Sequence, residues 1–533
     1  MTTTATPVRF TQGPDHSLML GLSATRAITL AACVLSVAAV TVAAGMTAGL
    51  IAAIGLSPVA GSALLMVEGR ALVEWAPDGA RYAWRGAQGR LRSLTPVDRP
   101  IRAGVLPIPG MALQLSVLEA ADGTAILRDK TADTWTVIAA VTGHGFMFAD
   151  GETQDAVCAG LGRALAAIGG SGQITRIHIT HRVRPETIET PDAAIGSASM
   201  PPAANEYDDA AWSGPRPAKP AAGTPGELLS GAVEDGVASS AMTQAAATIY
   251  RQTLAEHAAS WRHDTLIALT IGGKTTRAAI HRSGHGLAAA ARVLAAHQAS
   301  LAETLAAADA TVETWLPPAD LTDWTRDGYD PESIPITQKM NSSRRADSTQ
   351  PTSPTDDLMP AGSPAGPIAV AESWSHVRTD SVFHQVLWIS DWPRFDTHPA
   401  FLAPLLLPAG ATVTTALIYE PIPTPIALRQ IGRDKVAQTS DAALRRRLGT
   451  LDTAEQAARA ADTAQREAEL AAGHLDMRHT ALIAITAATQ EDLADAATRI
   501  RQAAAAAGCD TRILYGQQLA ALNATILPTG CRL

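Results

Sequence analysis

Cysteine and aromatic residues are scarce in this 533-residue chain, and each scarcity excludes something. The four cysteines (Cys33, Cys158, Cys509 and Cys531) are scattered with no C-x-x-C pair. Neither a zinc site nor a disulfide framework is therefore encoded, a pattern that suits a reducing compartment. Aromatics make up 4% of residues, so the 47% apolar content rests largely on alanine. Positive charge is also lacking: 42 Lys and Arg stand against 51 Asp and Glu, for a net charge of −9. Binding to nucleic acid needs concentrated Lys and Arg, so nucleic acid is excluded as the main partner. The 14 histidines show no H-E-x-x-H spacing, and no G-x-S-x-G elbow is present. His178 and His181 lie three apart on an expected strand, so they point to opposite faces and cannot share a metal. No catalytic residue, metal site or cofactor is expected.

One stretch invites a different reading. "LTIGGKTTR" (269–277) carries Gly-Gly-Lys-Thr-Thr after an apolar run. A P-loop needs G-x-x-x-x-G-K-[ST], with backbone N–H groups around the phosphates and the hydroxyl on magnesium. Counting back from Gly273 puts Ala268 at the first glycine. The following residues, "TRAAIHRSGHG", alternate in the manner of a strand, so the segment reads as a hairpin turn with Gly272-Gly273 at its tip. A membrane-tethered nucleotide-dependent enzyme or regulator built on Lys274 remains the alternative.

What the chain does have is a long uncharged run. No charged residue lies between Arg26 and Glu68. One spanning helix needs roughly 20 apolar residues to cross about 30 Å of hydrocarbon, so the run fits two helices, near 26–45 and 49–67. Gly45 to Gly49 supplies the reversal. A cleaved signal peptide is the rival reading, but its apolar core is usually about 7–15 residues. A buried soluble hairpin is the other. Arg9 and Arg26 precede the run, and Arg70, Arg81, Arg85, Arg90 and Arg92 follow it. The positive-inside rule then places both ends in the cytoplasm, giving a multi-pass protein of the inner (plasma) membrane. Trp75, Tyr82 and Trp84 among those arginines fit either a segment at headgroup level or a solvated connector with buried aromatics.

Beyond residue 100 the pattern strand, helix, strand recurs. The units are 134–141, 153–169 and 173–183; 264–273, 286–308 and 310–316; 381–390, 398–407 and 411–420; and 479–487, 491–508 and 509–516. They pair into two ferredoxin-like, split β-α-β modules, making the chain α+β. "TLIALTI" and "TALIAIT" head the second and fourth units, a trace of internal duplication. The expected organisation is a tail (1–25), a transmembrane helical hairpin (26–68), a basic juxtamembrane segment (69–100), a first module (101–330) and a second (372–533). Mobile linkers rich in Pro, Ser, Gly and charge are expected at 184–230 and 331–371, the latter densest over 338–368. A helical insertion spans 425–474. Its second helix opens with Thr453 and Gln456 at capping-box spacing and ends at Gly473.

"YEPIPTP" (419–425) is the most distinctive short motif: prolines stop a strand after Glu420 and open the next helix. Glu420, Pro421, Arg445, Arg446 and Arg447 are the candidate partner-contact residues, the arginines ending the insertion's first helix.

The uncharged hairpin, together with residues 104–166, "TALIYEPIPTPIALRQIGRDKVAQTSDAALRRRLG" (415–449) and "REAELAAGH" (466–474), resembles a family of actinobacterial membrane proteins. The hairpin is similar to PrgI-type small subunits of conjugation machines. The cytoplasmic region resembles the EccE domain of type VII secretion and the ATPase-free N-terminal part of VirB/TraC-class secretion ATPases. The resemblance implies a non-catalytic integral membrane subunit of a secretion or conjugation-like apparatus. Its implied partners are the lipid bilayer, other membrane subunits and a separate P-loop ATPase, with self-association left open.

Overall fold

The structure, a computed structural model, describes residues 17–19, 22–94, 105–110, 114–143, 146, 149–186, 260–284, 286–331, 366–393, 397–398, 400–406, 410–449 and 454–528. Helices α1 (Ala24–Ala44) and α2 (Met46–Leu64) form the N-terminal hairpin. The reversal expected over 45–49 is confined to Gly45, whose φ of +87° is left-handed backbone that glycine adopts at little cost. Gly49 instead sits in the first turn of α2, where a Cβ would run into the Thr41 side chain. Its smallness lets the two helices approach closely. Pro58 removes the N–H that would serve Ile54, and the Ser57 hydroxyl donates to that carbonyl instead at 2.8 Å. Both helices are long and apolar enough to cross a membrane. Only 6% and 11% of their most apolar windows are buried, which separates them from the covered core helices of a soluble protein.

Two small ribbons flank this hairpin: β1 (Ser17–Met19) with β2 (Leu22–Ser23), and β3 (Met66–Val67) with β4 (Arg70–Ala71). Among the described residues, fourteen further strands make one large sheet, antiparallel in every pairing whose register is described. In chain order they are β5 (Arg92–Leu94), β6 (Val105–Pro107), β7 (Gln114–Glu119), β8 (Ala125–Asp129), β9 (Thr134–Gly143) and β10 (Ile174–Glu186). Then come β11 (Ser260–Gly272), β12 (Ala310–Trp315), β13 (Ala369–Glu372), β14 (Val377–Thr379) and β15 (Val382–Asp391). β16 (Thr412–Ile422), β17 (Asp476–Ala487) and β18 (Asp510–Ile513) complete the set.

Where two modules were expected, a single sheet runs through both. Its order is β5-β13-β14-β15-β17-β16-β10-β11-β9-β8-β7-β6, with β12 also on β9 and β18 also on β15. The first four of the repeating strands lie as β12-β9-β11-β10, and the last four as β18-β15-β17-β16. The two sets meet where β10 pairs with β16, Ile177 opposite Tyr419 through Val183 opposite Val413. The 13-residue β10 carries three residues into the segment expected to begin a linker at 184. Residues 187–230 of that linker, and 332–365 of the second, lie outside the described residues.

Helices cover both faces because the central strands are apolar on both. α4 (Gly151–Gly170) and α6 (Gly286–Ala306) cover one face of the first half, and α11 (Gln490–Ala506) the same face of the second. On β17, Ala481, Ile483 and Ile485 face α11, while Leu482 and Ala484 turn to the opposite core. That opposite core is shared by both halves, joining Leu266, Ala268 and Leu127 to Val386, Ala416 and Leu482. It is filled by α7 (Pro318–Tyr329) and α12 (Gln518–Ile526). The helix expected at 398–407 shrinks to α8 (Ala403–Leu406).

Because one core serves both halves, truncating it should lower the stability of the whole sheet. Leu522→Ala should cost about 2–5 kcal/mol in a single unfolding transition. Urea denaturation in detergent followed by tryptophan fluorescence checks this; two separable transitions would show that the halves unfold independently.

Candidate functional site

Among the described residues, no three His, Cys, Asp or Glu side chains come together in a way that could hold a metal ion. His178 and His181 do face opposite sides of the sheet. His178 is 1% exposed in the shared-core layer, and burial, then the nearby Arg176 charge, push its pKa down to about 3. His181 meets Thr265 Oγ1 at 2.8 Å through Nδ1 and His263 Nδ1 at 3.2 Å through Nε2. Burial, then the neighbouring His263, lower its pKa to about 4, so the His181 ring is neutral at pH 7.

The hairpin turn expected at Gly272-Gly273 does not form. β11 stays paired with β9 up to Gly272, opposite Thr134, and helix α5 (Gly273–Arg282) begins at the next residue. Gly273, at φ +83°, makes the turn, and threonine hydroxyls hold it. Thr276 Oγ1 donates to Gly272 at 2.7 Å and Gln173 at 3.1 Å, and Thr275 Oγ1 donates to Gly172 at 2.7 Å. The alternation in "TRAAIHR" was misleading because Thr276 and Ala279 are three apart on one helical face and both buried. A helix does therefore follow the lysine, as a phosphate site requires. No loop separates strand from helix, however, and the Thr275 hydroxyl that would serve magnesium is donated to a carbonyl.

The sequence-derived contact residues fall in two places. Glu420 and Pro421 end β16, opposite Arg478 and Met477 of β17. Glu420 ties three strands: it pairs with Arg176 of β10 at 2.5 Å and with Arg478 at 3.8 Å. It thus holds the seam between the halves. Arg445, Arg446 and Arg447 form the last turn of α9 (Thr424–Leu448), with Arg446 and Arg447 exposed. Gly449, at φ +69°, caps the helix by donating to the Arg445 and Arg446 carbonyls. The cations sit where the helix dipole favours them. α9 and α10 (Ala454–Ala471) form an antiparallel hairpin rooted by Ala427, Ile431 and Leu470 and bridged by Lys435–Glu467 and by Gln438 donating to Thr463 at 2.9 Å. The helix rise of about 1.5 Å per residue carries the arginines about 32–35 Å from the sheet end of α9. Thr453, expected to cap α10, lies outside the described residues.

The segment 69–100 turns out to be a clamp. α3 (Leu72–Ala87) is held to the hairpin at its start: Glu74 accepts from the Ser23 hydroxyl and pairs with Arg26 at 3.3 Å, and Arg70 pairs with Asp78 at 3.3 Å. Further along, Trp75 meets Tyr515 edge-on at 5.3 Å, Tyr82 meets Trp374 at 5.1 Å, and Trp374 stacks on Tyr515 at 6.0 Å. Arg85 then donates to both oxygens of Glu372, at 2.7 and 3.3 Å, and to the Gly516 carbonyl. The Glu372 side chain is fully buried and also accepts from the Leu519 N–H at 3.3 Å. β5 then adds to the sheet beside β13. Trp75 and Tyr82 are therefore packed against the sheet's aromatic residues, whereas Trp84 is 67% exposed. Sequence reasoning missed this clamp because Arg85 and Glu372 are 287 positions apart.

No protein-family model matches this chain, and no curated protein matches it.

The clamp pairs a fully buried carboxylate with a half-buried arginine, and removing the arginine leaves an uncompensated charge. Arg85→Ala should cost about 3 kcal/mol, while Arg85→Met with Glu372→Gln should recover part of the loss, the glutamine still accepting from the Leu519 N–H. Denaturation midpoints of the three proteins measure both effects; an Arg85→Ala protein as stable as wild type would contradict the assignment. Acid sensitivity follows from His178, His181 and His384. Burial lowers His384 as well, to about 4, between Thr379 and Thr486 hydroxyls. All three folded values lie below the unfolded 6.5, so the unfolded chain binds protons first. Their contribution is full above pH 6.5 and falls as pH drops toward 4. Near pH 5 unfolding should take up about three protons from these groups. The slope of stability against pH between 5 and 6 reads that number; a flat profile would contradict it.

Proposed function

We propose that this chain is a non-catalytic integral membrane subunit of a secretion or conjugation-like apparatus. The α1–α2 hairpin spans the bilayer twice, both of its ends face the cytoplasm, and the large sheet docks a separate translocation ATPase or sister subunits there. The observation that carries the anchoring is the hairpin itself: two adjacent helices of spanning length, closely packed on one another and otherwise almost uncovered. Arg26, Arg70 and the α3 arginines cluster at its base, as the positive-inside rule requires of a cytoplasmic end. The clamp makes the anchor and sheet one mechanical body.

The secretion assignment rests on the family resemblance. Two features of the fold support a docking role. The strand orders β12-β9-β11-β10 and β18-β15-β17-β16, each with helical crossovers, fit a duplicated split β-α-β module. The α9–α10 hairpin projects three arginines away from the sheet, positioned to meet an acidic partner surface. Glu420 and Pro421 act on this hairpin from its root, holding the strand that launches it. The rival reading, nucleotide bound at Lys274, gains the helix that follows the lysine and lacks the phosphate-wrapping loop.

Reversing Arg445, Arg446 and Arg447 to Glu should abolish co-purification of partner subunits from native membranes in mild detergent, with the melting temperature unchanged. Mass spectrometry of the eluate decides: partners retained by the triple variant would overturn the docking surface. A melting temperature raised by Mg-ATP in wild type but not in Lys274→Ala would favour the nucleotide reading instead.

A further inference from the structure

The helix that follows the apolar hairpin is amphipathic the wrong way round for a soluble fold. α3 turns its polar side chains inward: Glu74 to Ser23 and Arg26, Asp78 to Arg70 and Arg81, and Arg85 to Glu372. The face it leaves open is apolar. Leu72, Ala76, Ala80, Ala83 and Ala87 recur at i, i+4, i+8, i+11 and i+15, all of them exposed. Trp84 borders this stripe and is 67% exposed. A helix on the surface of a globular protein does the reverse, covering its apolar stripe and leaving its charges in water.

Two observations say what covers this face. First, the exposed apolar surface is continuous with the hairpin. Leu64, Leu65 and Met66, where α2 ends, are 65%, 61% and 62% exposed, and Val67 is exposed as well. The β3–β4 ribbon folds the chain straight back, so that the Leu72 N–H donates to the Leu65 carbonyl at 3.0 Å. The first residue of α3 thus lies beside the end of α2, and Leu72 extends the same surface. Glu74, bonded to Ser23 and Arg26, holds this turn of α3 at the start of α1 too. Second, the charges around the open face of α3 are of one sign. From Leu72 to Leu94 the two acidic residues, Glu74 and Asp78, both point inward, whereas Arg81, Arg90 and Arg92 are exposed. Glu68, in the β3–β4 turn, is the one exposed acid between Leu64 and Leu94. A bilayer interface suits such a surface: apolar side chains reach the acyl boundary, an indole sits at headgroup level, and cations meet anionic phosphates.

We infer that α3 lies in the plane of the membrane interface, its open face on the acyl boundary and Arg81, Arg90 and Arg92 among anionic phospholipid headgroups. This rests on the hairpin being membrane-inserted, the reading proposed above, and adds where the sheet sits. An interfacial helix sinks about 5–10 Å into the boundary, and the 16 residues of α3 run for about 24 Å. Its inward face carries Trp75, Tyr82 and Arg85, packed on Tyr515, Trp374 and Glu372. The part of the sheet around β13 is therefore held against the bilayer along the length of α3, not hung below it on a linker.

The test uses the full-length protein, one copy per nanodisc of phosphatidylethanolamine and phosphatidylglycerol, with one cysteine introduced at a time and labelled by a charged maleimide. Peptide mass spectrometry reads each site separately, so Cys33, Cys158, Cys509 and Cys531 stay in place. Leu35→Cys reports the middle of α1, and Ala80→Cys and Ala83→Cys the open face of α3. Ser440→Cys, exposed on α9, gives the rate in water. The thiolate is the reacting form and an apolar surrounding disfavours it, so Ala80→Cys and Ala83→Cys should label about ten times more slowly than Ser440→Cys. Labelling of both at the Ser440→Cys rate, with Leu35→Cys protected, overturns the interfacial helix and leaves the hairpin inserted. Labelling of Leu35→Cys at the Ser440→Cys rate removes the hairpin reading, and the interfacial helix with it.

Discussion

A helix buried on nearly every side needs a partner for each polar group it carries, and Gln518–Ile526 meets that demand at the centre of this fold. All of its nine residues but Ala520 are buried. Gln518 spans the backbone of Val386, accepting from its N–H at 2.8 Å and donating to its carbonyl at 3.2 Å. Asn523 accepts from the Tyr329 hydroxyl at 2.7 Å and donates to the Pro109 carbonyl at 2.9 Å. The Ile526 carbonyl receives the Trp324 indole N–H at 2.9 Å. Pro109 follows one edge strand and Val386 lies near the other, so one short helix binds distant parts of the sheet. Leaving any of these groups unpaired in a low-dielectric core would cost more than the hydrogen bond itself contributes. The helix is thus fixed in position as well as buried.

The clamp draws on the same helix. Glu372 accepts from the Leu519 N–H in the first turn of α12 and simultaneously holds Arg85 of α3. One buried carboxylate therefore joins the segment leading from the apolar hairpin to the centre of the shared core. Gly516 sits against Trp374 so closely that a Cβ would reach 2.5 Å from the indole. The aromatic box of Trp75, Tyr82, Trp374 and Tyr515 leaves no slack at this joint. A force on the hairpin is transmitted to the sheet through packed side chains rather than through a tether.

The repeating strands and helices were legible in the sequence because their period is local. β9, β10, β11, β15, β16 and β17 are apolar runs bounded by turns, and α4, α6, α9 and α11 carry helical stripes or start signals in their own residues. What could not be read is whatever depends on a distant partner. "TLIALTI" and "TALIAIT" announced two similar units, yet nothing local in "QITRIHITHRV" says that Ile177 pairs with Tyr419. Arg85 reads as a basic flank until Glu372 is placed beside it. α5 was misread because its residues alternate as a strand does, and only Gly172, Gln173 and Asp133, on neighbouring turns, settle them into a helix. Of the candidate site, Arg445 to Arg447 were correctly placed at a helix end. Glu420 was not recognised as the seam's counter-ion, since Arg176 is 244 positions away.

The seam at β10 and β16 and the late position of α12 also constrain the order in which the chain can acquire structure. α1 and α2 need only each other, and their apolar surface can enter a bilayer as soon as both are made. The shared core has to wait. Its strands from β6 onward come first, and Leu519, Leu522 and Ile526, which seal it, follow every one of them. Throughout that interval the apolar faces of Leu127, Ala268 and Leu482 lack their cover. On the membrane reading proposed above, a hairpin already held at the bilayer would keep such half-finished sheets from meeting one another freely in solution. Tethering of that kind would protect assembly during synthesis as well as fix the finished protein in place.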